Sequence, residues 1–128
     1  FTRVLQVRDV VPGGAVGYSG SWRASRSSRI ATLAVGYADG FARSASAASG
    51  SPGGSVVIHG ARLPVVGRVS MDLITVDVTD CPVLVRRGDV AEVIGATLPL
   101  ETVGAEGRTI GYEVLTRLGR RYSRVYVG

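Results

Sequence analysis

Val56-Val57-Ile58-His59-Gly60-Ala61-Arg62-Leu63-Pro64-Val65-Val66-Gly67-Arg68-Val69 holds a strand, a turn and a returning strand in one short stretch. Val56 to Ile58 is a β-branched run of the kind that fits a pleated surface. His59-Gly60-Ala61-Arg62 reads as a tight turn, and Leu63 to Val69 as the partner strand. Pro64 has no backbone N–H, which suggests an edge or a strand start. Just beyond, Leu73 to Val78 alternates, with Ile74, Val76 and Val78 on one face and Leu73, Thr75 and Asp77 on the other.

The same grammar extends outward. Val4 to Val11 reads as a strand in which Val4, Gln6 and Arg8 alternate against Leu5, Val7 and Asp9. Pro12-Gly13-Gly14 is a turn signal, Ala15 to Tyr18 can open a second strand, and Ser19 to Arg29 reads as a polar loop or hairpin excursion. Ile30 to Val35 is short and almost wholly apolar, as expected of a strand buried on both faces, and Gly36-Tyr37 ends it. Ser44 to Gly54, rich in Ser, Ala, Gly and Pro, has no periodicity and is expected to be a mobile loop. Gly88-Asp89 introduces a strand from Val90 to Ile94. Two short helices are expected late. Pro99 to Ala105 carries Glu101 in its first turn, and Thr109 caps a helix through Leu118, closed by Gly119. Ser123 to Val127 closes as a strand. The expectation is one all-β domain over residues 1–128: a small barrel-like domain of short strands with one or two short helices near the C-terminus.

Composition sets bounds. At 128 residues and 45% hydrophobic content the chain can bury a single core. No apolar run approaches the ~20 residues that span a bilayer, and no signal-peptide layout opens the chain, so no membrane partner is expected. One cysteine, Cys81, excludes an internal disulfide and fits a reducing, cytoplasmic setting. The net charge is +5, and all 15 basic side chains are arginines; lysine is absent. Scattered arginines, with Arg86-Arg87 and Arg120-Arg121 the only doublets, argue against a nucleic-acid stripe. Total use of Arg beside 18 Gly suggests a GC-rich genome. The only Met is internal, Met71, and the chain opens at Phe1, which leads us to expect an excised domain or processed fragment. His59 is the only histidine and reads as a turn residue. With one Cys it cannot make a conventional zinc site, and it has no partners for a hydrolase triad. No phosphate loop of the Walker pattern is present.

Two segments carry the chemistry. Gly36-Tyr37-Ala38-Asp39-Gly40 places a tyrosine where a buried strand meets a glycine-bounded loop, a position that holds the ring while its hydroxyl faces an open site. Asp39 and Gly40 are expected to shape the loop, Asp by bonding backbone amides and Gly by allowing positive φ. Gly67-Arg68-Val69-Ser70-Met71-Asp72 ends a strand in a turn. Met71 has a plain alternative use as core filling, and Arg68 as a surface arginine.

In this order, these motifs resemble the C-terminal domain of alanine racemases. The similarity continues in Arg3 to Tyr18, which ends in Gly17-Tyr18, in Thr109-Ile110-Gly111-Tyr112-Glu113-Val114-Leu115-Thr116, and in Arg120, Arg124 and Tyr126. The resemblance implies a larger subunit with an N-terminal α/β barrel whose lysine covalently holds pyridoxal 5'-phosphate. It also implies a cytoplasmic bacterial homodimer that interconverts L- and D-alanine for peptidoglycan precursors. Tyr37 would be the base on one face of the substrate, and the barrel's lysine the base on the other. Met71, through its backbone amide, and Asp72 would bind substrate. Arg68 and Ile110 would line the entrance corridor, and Tyr112 would reach the cofactor phosphate. A tyrosine in water titrates near 10, so a tyrosine base needs cations or donated hydrogen bonds nearby. Without lysine the isolated domain is expected to be inactive. A serine or broad-specificity racemase, a non-catalytic basic β-barrel that binds nucleic acid, and a stand-alone assembly or regulatory domain remain the alternatives.

Overall fold

The hairpin expected over Val56 to Val69 forms with a tighter turn than its sequence suggests. In the computed structural model, which describes residues 1–17, 20–94, 98 and 106, strands β5 (Ser55–Ile58) and β6 (Ala61–Val66) pair antiparallel. Only His59 and Gly60 lie between them, at φ 51° and 76°. Positive φ at both central residues is the signature of a type I′ turn, whose twist matches the flanking strands. Ala61 and Arg62 therefore belong to the strand, with Ile58 opposite Ala61 and Val56 opposite Leu63.

The remaining strands are, with two more numbers than the barrel needs, β1 (Thr2–Val10), β2 (Ala15–Val16), β3 (Trp22–Arg23), β4 (Ser28–Leu33), β7 (Ile74–Asp77) and β8 (Val90–Glu92). A closed barrel runs β1-β4-β7-β6-β5-β8, and every neighbouring pair is antiparallel. The seam closes where Thr2 pairs with Ala91 and Arg3 with Val90. β2 and β3 form a separate two-stranded sheet. The expectation of an all-β barrel is borne out. Closure leaves the barrel no free sheet edge, so Pro64 is not on one. Val65 donates to Gly54 O on the β5 side at 2.9 Å, and the β6–β7 ladder stops at Val65. Pro64 thus stands where a missing N–H breaks no ladder bond.

Alternation in β7 is as read: Ile74, Val76 and Val78 are buried, and Thr75 and Asp77 only half-buried. β4 is buried on both faces. Ala31 and Leu33 enter the main core with Val4, Val56, Ile58 and Val76. Ile30 enters a second cluster with Val10, Val16, Ala24 and Val66, against which Trp22 packs. β4 ends at Leu33, so Val35, though buried, lies beyond it. The alternation expected in β1 fails at one point. A bulge falls between Val4, opposite Leu33, and Gln6, opposite Thr32. The extra residue, Leu5, is exposed, and Val7 takes the inward phase after it.

Ser44 to Gly54, expected to be a mobile loop without periodicity, holds local backbone structure. A 3-10 turn covers Arg43–Ala45, Ala47 bridges to Gly67, and Ala48 bridges to Ser51. Ala47 N donates to Gly67 O at 2.9 Å, and Gly54 N donates to Ala45 O at 2.8 Å. Close backbone approach explains the small residues: a Cβ on Gly53 would lie 2.2 Å from Ala45 O. The expected late helices, Pro99 to Ala105 and Thr109 to Leu118, and the strand Ser123 to Val127 lie outside the described residues, as does Tyr18. Among the described residues no helix is long and apolar enough to cross a membrane.

Candidate functional site

Strand register alone brings the two motifs together. Leu33 at the end of β4 sits opposite Ile74 at the start of β7. In an antiparallel pair, the chain leaving β4 and the chain entering β7 share one end of the ladder. Gly36-Tyr37-Ala38-Asp39-Gly40 leaves there, and Ser70-Met71-Asp72 enters there.

Backbone hydrogen bonds then join them. Tyr37 N donates to Ser70 O at 2.9 Å, and Ala38 N to Met71 O at 3.0 Å. Such contact requires Gly36 to have no side chain, because a Cβ there would lie 2.3 Å from Met71 O and 2.4 Å from Ser70 O. Residues Tyr37–Asp39 form one turn of 3-10 helix. Asp39, 7% exposed, folds its carboxylate back to accept Gly36 N at 3.0 Å. Gly40 closes the turn at φ 99°, donating to Tyr37 O at 3.1 Å. Asp39 and Gly40 are therefore loop-shaping residues, as read from the sequence.

Across from it, Ser70 and Leu73 clasp the turn that carries Met71 and Asp72. Leu73 O accepts both Ser70 N at 3.1 Å and Ser70 Oγ at 2.8 Å. Met71 is not core filling, since it is 53% exposed. Its carbonyl is used by Ala38, whereas its amide meets no acceptor among the described residues. Tyr37 is 39% exposed, so its ring stands at the surface beside this turn. Asp72 and Arg68 are exposed on the same segment. Ile110 and Tyr112 lie outside the described residues.

Sequence reading missed two residues here. Arg43 places its guanidinium carbon 5.0 Å from the Tyr37 ring centroid, a cation–π contact worth about 0.5–1 kcal/mol at an exposed site. Ser46 ties that arginine's turn to the second motif: its hydroxyl donates to Arg43 O at 2.6 Å and accepts Val69 N at 2.8 Å. What marks Arg43 is the ring it faces across a turn, and no periodicity in the sequence carries that signal.

Other polar groups sit elsewhere. His59 Nε2 pairs with Asp89 Oδ2 at 2.8 Å, joining the β5–β6 turn to the turn before β8. The Arg86 backbone amide, and after it the His59 ring, hold the Asp89 carboxyl below its usual range. Half-buried Cys81 places Sγ 3.7 Å from Ile58 O. No group of three His, Cys, Asp or Glu suited to a metal occurs among the described residues. An open groove of about 700 Å³ beside β6 is lined by Trp22, Pro52, Pro64 and Val66 with Arg62 and Glu106; neither Tyr37 nor Met71 lines it.

Fold and site together define a β-barrel domain that presents a tyrosine loop stitched to an adjoining turn. Residues 1–126 match the family described as alanine racemase, C-terminal domain, and the chain belongs to that family. The alanine racemase of Rhizobium meliloti (strain 1021) is 50% identical over 133 residues, spanning 98% of this chain and 35% of that protein. The alanine racemase of Methylobacterium sp. (strain 4-46) is 50% identical over 125 residues, spanning 97% and 33%. Among solved structures, alanine racemase from Bartonella henselae with covalently bound pyridoxal phosphate superposes with a TM-score of 0.90. It shares 45% identity, over 98% of this chain and 33% of that chain. Biosynthetic alanine racemase from Pseudomonas aeruginosa gives a TM-score of 0.82 at 40% identity, over 96% and 34%. The chain thus spans about a third of the length of these relatives.

Proposed function

We propose that this chain is the β-barrel part of a pyridoxal-phosphate-dependent alanine racemase, contributing one base and the substrate-carboxylate contacts to a site completed by other segments. The observation that carries the reading is the pair of hydrogen bonds from Tyr37 N to Ser70 O and from Ala38 N to Met71 O. They hold the backbone of a surface tyrosine beside an amide that has no acceptor among the described residues.

Racemisation asks for a base on each face of the substrate's α-carbon. In its deprotonated form Tyr37, held by its backbone, takes the α-proton onto its phenolate oxygen on one face, and as the phenol it returns a proton there in the reverse direction. Its electrons stay with the carbon while the opposite face receives a proton from a second group. The Met71 amide donates to the substrate carboxylate and fixes which face meets Tyr37; a backbone donor loses little entropy in doing so. Asp72 lines the same pocket, and Arg68 the approach to it, with Ile110. Pyridoxal phosphate, when bound, supplies the electron withdrawal that makes the α-proton removable. The described residues fit the substrate side of such a site and not the anchor of the cofactor, because the chain has no lysine. Tyr112 is the residue we assign to its phosphate. The anchoring lysine and second base then come from an N-terminal barrel domain, with the sites formed between the two subunits of a cytoplasmic homodimer. The D-alanine made would supply peptidoglycan synthesis.

Tyr37→Phe in the full-length protein tests the reading. The rate is expected to fall by about 10²-fold or more, the usual scale for loss of an acid–base group. With α-deuterated alanine, the isotope effect should rise for the enantiomer whose proton Tyr37 removes. A Tyr37→Phe enzyme as fast as its parent in both directions would sink the assignment.

A further inference from the structure

The loop geometry gives Tyr37 a holder that neither strand register nor the backbone stitching supplies. The backbone bonds fix the Tyr37 amide but leave its ring free to turn about the Cα–Cβ bond. With 39% of the residue exposed, packing leaves part of its surface open to solvent. Arg43 is the side chain that meets its face, at 5.0 Å from the centroid.

We propose that Arg43 is a positioning residue that sets the aim of the Tyr37 hydroxyl toward the α-carbon. This rests on the reading of Tyr37 as a base. Arg43 is suited to the task because its own backbone is fixed. Arg43 O accepts both Ser46 N at 3.1 Å and Ser46 Oγ at 2.6 Å. The same hydroxyl accepts Val69 N at 2.8 Å, immediately before the Ser70-Met71 turn. The Arg43 backbone and the segment that enters the Ser70-Met71 turn are thereby tied to one hydroxyl, Ser46. A planar guanidinium also stacks flat on a ring, which an ammonium does not, so it limits ring rotation as well as attracting the face. Reaction rates respond steeply to displacements of about 1 Å between reacting groups, so a loosened ring slows proton transfer more than it weakens substrate binding.

A double-mutant cycle in the full-length enzyme separates this from a structural role. Arg43→Gln is expected to lower kcat about tenfold with little change in KM, and Arg43→Lys to recover part of the loss. In a Tyr37→Phe background, Arg43→Gln should change the residual rate by less than about twofold, because the ring then carries no base to aim. Independently of turnover, 3-fluorotyrosine placed at position 37 should show a shifted ¹⁹F resonance when Arg43 becomes Gln. Equal fold losses in both backgrounds, or an unmoved resonance, would overturn the proposal. If Tyr37→Phe is impaired while Arg43→Gln is not, only the role of Arg43 fails. If Tyr37→Phe is unimpaired, the base assignment beneath it fails instead.

Discussion

Gly36 is the residue on which the site's geometry turns. Its φ of −152° is ordinary extended backbone, so an alanine there meets no conformational penalty. The obstacle is collision: the added Cβ would lie 2.3 Å from Met71 O, and backbone cannot swing aside as a flexible side chain can. Gly36→Ala should therefore push the tyrosine loop off the Ser70-Met71 turn. We expect a loss of about 1–3 kcal/mol, the usual scale for overpacking, seen as a lower urea midpoint in the full-length protein. Under the proposed function, racemisation should fall by more than the stability loss explains, because Tyr37 and Met71 are displaced relative to each other. An unchanged midpoint and rate would show that the two segments are not in the contact described. From sequence, Tyr37, Met71 and Asp72 could be picked out through the resemblance of their motifs to alanine racemases; pattern alone leaves Tyr37 a strand-end aromatic and Met71 a core filler. Arg43 could not, since what distinguishes it is a ring it faces across a turn, and no periodicity encodes that. Nor could the mutual dependence of Gly36 and Met71, which arises only when β4 and β7 are in register.

At the scale of elements, strands with clean period-2 patterns were legible and those with a local irregularity were not. β7 reads correctly because Ile74, Val76 and Val78 keep one phase throughout. β1 misreads because the bulge at Leu5 shifts the phase halfway along, and a bulge leaves no mark in an apolar–polar string. The sequence marks the β5–β6 turn but makes it look longer than it is, because His59 at φ 51° lies outside the usual preference for Asn, Asp or Gly at that position. Part of the reason for His59 is its bond to Asp89, which fastens the turn to the segment entering β8. That fastening carries a pH dependence of definite sign. Asp89 is held below the usual carboxylate range by the Arg86 amide and the His59 ring. A depressed carboxyl contributes stability in full above its unfolded value, near 4, and loses it as pH falls through the lower folded value. Urea midpoints of the parent and of Asp89→Asn should thus differ most at neutral pH and converge below about pH 4. A gap that widens on acidification would show that the Asp89 carboxylate is not favoured by folding.

For the whole molecule, closure of the sheet explains why the chemistry sits where it does. A barrel that ends every strand in a partner has no edge to offer, so its functional groups gather on loops at the strand ends, where the backbone is free to turn. Tyr37, Met71 and Leu73 are all substantially exposed there. Under the proposed function that rim is covered by the segment carrying the cofactor's lysine, a residue this chain lacks. The dependence can be tested directly by complementation in trans. The chain is mixed with a separately produced segment corresponding to the remaining two thirds or so of its relatives, and D-alanine is measured. The chain alone should be inactive, and borohydride reduction with pyridoxal phosphate should label none of its side chains. The mixture should racemise alanine and lose most of that rate with Tyr37→Phe in this chain. Activity from the chain alone would overturn the division of labour, since it would require a covalent anchor that no lysine here can provide. Inactivity of a mixture shown to associate and to hold the cofactor would instead count against alanine as the substrate, and a serine or broad-specificity substrate would be assayed next in the same mixture.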